Sequence, residues 1–168
     1  MASGLRGAQE PPVDVSAIAE ELGIRVIRRP LPAGVWGVTT DCSLVAVNAA
    51  LPEADFRFAL AHELGHVLVR RGTLRWVVPT TEEWTCDWFA IHLLVPSEWL
   101  ARELEQSDHD LANRLRVTPK AVSAQRLRLQ VGGRHLRAAG RQACRTCGVR
   151  PHLAGCSCRR KATVTPGR

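Results

Sequence analysis

The chain has 168 residues, a formal net charge of +7, 45% apolar and 23% charged side chains. That size and balance describe one ordinary globular domain with a short appendage, able to bury a core without disulfides, and exclude a disordered or membrane-embedded chain. No early segment has the apolar run of a signal peptide, and no stretch approaches the roughly 18 apolar residues of a membrane span. A cytoplasmic protein is therefore expected, with reduced thiols that bind metal more readily than they pair. The charge is unevenly spread: residues 1–107 hold nine basic and 14 acidic side chains, residues 108–168 hold 14 basic and two acidic. The basic half is suited to nucleic acid or an acidic partner, or is simply a solvated tail.

Residues 1–12 read as a disordered leader. Asp14–Leu22 has Val15, Ile18, Ala19 and Leu22 on one helical face, with Gly23 as its stop. Three short strands follow, Ile24–Ile27, Val35–Val38 and Leu44–Val47, punctuated by Pro30, Pro32, Gly34 and Thr39-Thr40-Asp41. A small antiparallel sheet is expected. Asp55–Arg71 carries Phe56, Leu60, Leu64, Val67 and Leu68 at the 3.6-residue period, between Pro52 and Gly72. Further helices are expected at Glu82–Leu94, at Ser97–Glu105 with Ser97 as N-cap, at Asp108–Leu115, and at Pro119–Leu129 with Thr118 as cap. Beyond Gly132-Gly133 the pattern breaks into Arg, Gly and Cys. The class is α+β: a small sheet on a helical core, with a Cys-rich C-terminal appendage. The expected divisions are a leader at 1–12, a main domain at 13–130, a basic linker at 131–143 and a Cys-rich tail at 144–168.

Chemistry concentrates in His62-Glu63-Leu64-Gly65-His66. Residues four apart lie one helical turn apart on one face, so both imidazoles can reach one metal. Neutral imidazole suits zinc, and Glu63 beside the first ligand can take a proton from a metal-bound water. Zinc lowers the pKa of that water from nearly 16 to about 7, which makes hydroxide available at neutral pH. A catalytic zinc takes a third protein ligand and keeps a position open. By spacing, Glu83 is the leading candidate, with Glu82, Asp87 and His92 as rivals. Glu83 and Asp87 are themselves four apart, so one can bind metal while the other hydrogen-bonds a ligand histidine. Thr80 and Glu83 also fit a helix capping box.

These residues resemble the ImmA/IrrE family of metallopeptidases. One family phrase stands here as Arg57-Phe58-Ala59-Leu60-Ala61-His62-Glu63-Leu64-Gly65-His66. The second begins at the ligand glutamate and stands as Glu83-Trp84-Thr85-Cys86-Asp87-Trp88-Phe89-Ala90-Ile91-His92-Leu93-Leu94-Val95-Pro96. Cys86 replaces a usual alanine and Thr85 an often acidic residue. The resemblance spans roughly residues 13–130. It implies an endopeptidase with zinc on His62, His66 and Glu83, Glu63 as general base, and Asp87 beside the ligands. It also implies a protein substrate, a helix-turn-helix transcriptional repressor. The chain has no tyrosine, so an oxyanion would be stabilised by a histidine, an arginine or the zinc itself.

Two further features lie towards the C-terminus. Cys144, Cys147, Cys156 and Cys158 have the spacing of a second, structural zinc, and His152 could replace one thiol. Residues 111–129 have helix-turn-helix spacing, and Arg126, Arg128, Arg134 and Arg137 in or after the second helix, with Arg141 beyond, are candidates for DNA contact. Cys42 and Cys86 read as isolated, unreactive thiols. A DNA- or protein-binding regulator with a structural or vestigial zinc centre is the competing expectation.

Overall fold

The computed structural model describes residues 11–74, 82–103 and 105–139, with side chains described as far as 130. Among them are helices α1 (Val15–Glu21), α2 (Glu53–Arg70), α3 (Glu82–Leu94), α4 (Ser97–Leu100), α5 (Asp108–Leu115) and α6 (Pro119–Ala139). Strands β1 (Arg25–Arg29), β2 (Gly37–Asp41) and β3 (Leu44–Asn48) form one sheet in the order β1-β3-β2. By contacts the chain divides into two units, Met1–Arg126 and Leu127–Arg168. The first holds the sheet, α1–α5 and the start of α6. No described helix is long and apolar enough to cross a membrane.

The expected α+β class is the observed one, but the sheet is mixed rather than wholly antiparallel. β2 and β3 form an antiparallel hairpin, while β1 runs parallel to β3. The hairpin turn at Cys42-Ser43 is fixed by Asp41, whose Oδ1 accepts from the Ser43 amide at 2.6 Å and from its hydroxyl at 2.7 Å. These bonds hold the exposed Asp41 carboxyl below its usual pKa. β3 takes the centre, with Val45, Ala46 and Val47 all buried, whereas no residue of β1 or β2 is fully buried. A continuous apolar run belongs in a strand covered on both sides. Three short strands punctuated by turn residues predict an antiparallel sheet. The Pro30–Trp36 connection instead carries the chain past β3's place, and β3 then fills it.

α2 is the backbone of the core. Phe56, Leu60, Leu64, Val67 and Leu68 are buried along one side, as their period requires. Each such side chain contributes roughly 1.5–3 kcal/mol of burial. α2 starts at Pro52 with no side-chain cap, and Glu53 and Asp55 offset this by placing negative charge at the positive end of the helix dipole. It stops where Gly72 takes a left-handed conformation at φ 66°. The helix packs against α3, β2, β3 and α1, which places its middle turns between the sheet and α3.

Three expectations at helix ends need correction. Ser97 is the first residue of α4 rather than its cap, and its hydroxyl accepts from Gln125 Nε2 at 3.0 Å. α4 ends at Leu100, and Ala101–Glu103 turns away. α6 continues through Gly132-Gly133 to Ala139; two glycines cost only about 1 kcal/mol each relative to alanine, too little to stop a helix already under way. Thr118 does cap α6, accepting from the Ala121 amide at 3.4 Å.

Candidate metal centre

Successive residues turn about 100° around a helix, so relative to His62 on α2, His66 lies about 40° and Glu63 about 100° one way, and Gly65 about 60° the other. The two histidines therefore face a cleft, Glu63 leans to one wall and Gly65 to the other. The walls are β2 and α3. On the α3 side a methyl group added at Gly65 would lie 3.0–3.1 Å from the Cα, Cβ and Sγ of Cys86. Only glycine lets the two helices come this close. On the β2 side a Cβ at Gly37 would lie 2.7 Å from Glu63 Cγ and 2.8 Å from its Oε1. Glycine there makes room for the glutamate.

The close approach of α3 brings its acidic first turns over the histidines. His62 Nδ1 lies 2.8 Å from Asp87 Oδ1, and His66 Nδ1 lies 2.7 Å from Glu82 Oε1. An ionised carboxylate only accepts, so each Nδ1 carries the proton, and each Nε2 is left with a lone pair. Those two Nε2 atoms are 3.1 Å apart. Glu83 offers Oε2 at 3.2 Å from His62 Nε2 and Oε1 at 3.4 Å from His66 Nε2. With both imidazoles neutral, acceptor atoms of three residues thus converge with no donor between them.

Such an arrangement is repulsive unless a cation sits in it. His62, His66 and Glu83 are the one group among the described residues with ligand atoms close enough to hold a metal, all within 4.8 Å of one another. A tetrahedral ion with bonds of about 2.0–2.1 Å spaces its ligands roughly 3.3 Å apart. The 3.1 Å between the two Nε2 atoms is close to that figure, and Glu83 approaches the two nitrogens with different oxygens, at 3.2 and 3.4 Å. Two imidazole nitrogens and one carboxylate also match zinc in donor type, and the Nδ1 anchors supply the outer hydrogen bonds that ligand histidines usually have.

Glu63 is only 8% exposed. Its Oε2 accepts a 2.6 Å hydrogen bond from Thr39 Oγ1 on β2, which also lies 3.2 Å from the Glu63 carbonyl. Cys86 is fully buried against Gly65, and burial, reinforced by the surrounding carboxylates, pushes its thiol up to about 12. It packs and does not ligate. Cys42 is half-buried.

His92 is not brought to this group: its ring stacks on Trp88 at 4.4 Å and its Nδ1 lies 3.2 Å from Gln125 Nε2. Glu82 and Thr39 are what the spacing did not reveal as partners of His66 and Glu63. Glu82 was visible as a rival ligand, while nothing local marks Thr39. Of the arginines suited to nucleic acid, Arg126 is engaged inside the protein, with Asp108 Oδ1 at 3.0 Å from its Nε and the carbonyls of Gln106 and Glu103 on its Nη2. Arg128 is half-buried in the second unit. The side chains of Arg134 and Arg137, together with Thr80, Arg141, His152, Cys144, Cys147, Cys156, Cys158 and most of the leader, lie outside the described residues.

Comparison with known proteins agrees with the family resemblance. A solved structure described as a Mycobacterium tuberculosis transcriptional regulator matches with a TM-score of 0.56 at 21% identity, over 74% of this chain and 43% of that one. The present chain thus spans under half of that protein, and at this identity the likeness concerns the fold. No curated protein matches the chain. The model of the IrrE N-terminal-like domain, a peptidase family, matches residues 19–127. With α2, α3 and the cleft between them all inside that match, the chain belongs to the IrrE N-terminal-like peptidase family.

Proposed function

We propose that this protein is a zinc-dependent endopeptidase that cuts a regulatory protein, a helix-turn-helix transcriptional repressor. The observation that carries the reading is the convergence of His62 Nε2, His66 Nε2 and a Glu83 carboxylate oxygen, all within 4.8 Å of one another. When bound there, zinc supplies a Lewis acid that acidifies water towards neutrality and polarises a peptide carbonyl. The chain's own residues do the rest. Asp87 and Glu82 keep the proton of each imidazole on Nδ1 and fix the ring planes. Glu63 receives a proton at its carboxylate as water attacks and returns it to the departing amine. A purely structural centre has no use for a buried carboxylate beside its ligands, which favours the peptidase over a regulator with a vestigial site.

Zinc per chain in purified wild type and in Glu83→Ala tests the ligand set. One equivalent lost in the variant supports it, whereas zinc indifferent to Glu83 refutes it. Glu63→Gln is expected to keep fold and zinc and to abolish cleavage of the partner repressor in cells. Wild-type behaviour of that variant would end the peptidase reading. The Cys144, Cys147, Cys156 and Cys158 set is proposed as a second, structural zinc site, counted in the same measurement as an equivalent that survives Glu83→Ala.

A further inference from the structure

The β2 strand does more than bound the cleft. Glu63 meets it at both carboxylate oxygens: Oε2 accepts from Thr39 Oγ1 at 2.6 Å, and Oε1 occupies the space beside Gly37, 2.8 Å from where a Cβ would stand. Thr39 is itself fixed. Its backbone pairs with Val45 in the sheet, and its carbonyl accepts from Arg70 Nη1 at 3.1 Å, one end of α2 reaching back to the strand that faces its middle. A glutamate on a helix surface ordinarily samples several rotamers, and a carboxylate with one oxygen bonded and the other against a glycine samples few.

From this geometry we infer that Thr39 is a positioning residue: its hydroxyl holds the Glu63 carboxylate in the one orientation that serves the metal centre. The inference rests on the proposed role of Glu63 and extends it to a strand residue outside both helices. Threonine suits the place because its branched side chain is stiff in a strand and its hydroxyl donates one hydrogen bond, here directed at the carboxylate. Valine keeps the shape and removes the donor. Serine keeps the donor.

The test is the affinity of acetohydroxamate for the zinc-loaded full-length protein, measured by calorimetry. This probe chelates zinc and gives up a hydroxyl proton that a correctly placed carboxylate receives, so it reads the orientation of Glu63 without any peptide substrate. Glu63→Gln is expected to weaken binding. Thr39→Val is expected to weaken it roughly tenfold, in line with a hydrogen bond to a charged group, with zinc content unchanged and the urea midpoint lowered by no more than that one bond. Thr39→Ser restores binding, and Thr40→Val, on the neighbouring exposed residue, leaves it alone. If Thr39→Val binds like wild type while Glu63→Gln does not, the role of Thr39 is overturned and that of Glu63 stands. If Thr39→Val loses zinc as well, or Thr39→Ser fails to rescue, Thr39 holds the fold and not the carboxylate. If Glu63→Gln binds like wild type, the assignment of Glu63 fails first, and Thr39 with it.

Discussion

Two clusters of carboxylates in this molecule look alike in sequence and differ in what faces them. At the foot of the α5–α6 pair, Glu103 meets Arg114 at 2.8 Å, and Asp108 meets Arg126 at 3.0 Å. Every charge there is answered from within the chain. In the cleft, Glu82, Glu83 and Asp87 meet only the imidazoles of His62 and His66 among the described residues. The imidazole protons are taken up by Glu82 and Asp87, so Glu83 and the two Nε2 lone pairs are left facing one another. The first cluster is complete as folded. The second is a group that could hold a cation, and that difference tells the two clusters apart more sharply than acidic composition does.

The difference should show most strongly on chelation. Zinc at 1,000-fold above its dissociation constant is expected to stabilise the fold by about 4 kcal/mol, read as a higher urea midpoint that a chelator removes and that His66→Ala never gains. A midpoint indifferent to chelator would mean that the cleft is as self-sufficient as the other cluster. A smaller effect is expected from Gly65→Ala. Its methyl group would meet Cys86 at 3.0–3.1 Å, part of it backbone, and such overpacking costs typically 1–3 kcal/mol. Because α3 must move away, zinc affinity falls in the same variant, whereas a substitution in the other cluster leaves it unchanged. The smallest effect is expected from a double-mutant cycle on Asp108→Asn and Arg126→Gln. These side chains are partly exposed, at 31% and 22%, so a coupling of no more than about 1 kcal/mol is expected, and no change in zinc content. A coupling several times larger, or a loss of metal, would erase the distinction.

Much of this was legible in the sequence because it is periodic. α2 follows from apolar spacing, and residues four apart on it bring His62 and His66 together in any helix. What was not legible is set by contacts between elements. The parallel pairing of β1 with β3 depends on where the Pro30–Trp36 connection leads. That Glu82 rather than solvent meets His66 depends on how near α3 comes, which Gly65 and Cys86 decide from different helices. Thr39 sits in a plain strand and gains its partner only when β2 lies against α2. The extension of α6 past Gly132-Gly133 is an energetic matter, since glycine weakens a helix without forbidding it.

Arg57 ties the segment before α1 to the core. It is buried, with burial lowering its pKa from the usual arginine value, and it donates to the Val13 carbonyl at 2.7 Å and to the Arg116 carbonyl at 3.0 Å. Arg116 is the left-handed residue that ends α5, so a single guanidinium fastens the entry of the fold to the turn before α6. The family match starts at residue 19, but an expression fragment trimmed to that point would discard Val13, Val15 and Ile18 from the core and strip the guanidinium of one of its two acceptors. The shortest fragment worth making starts before Val13.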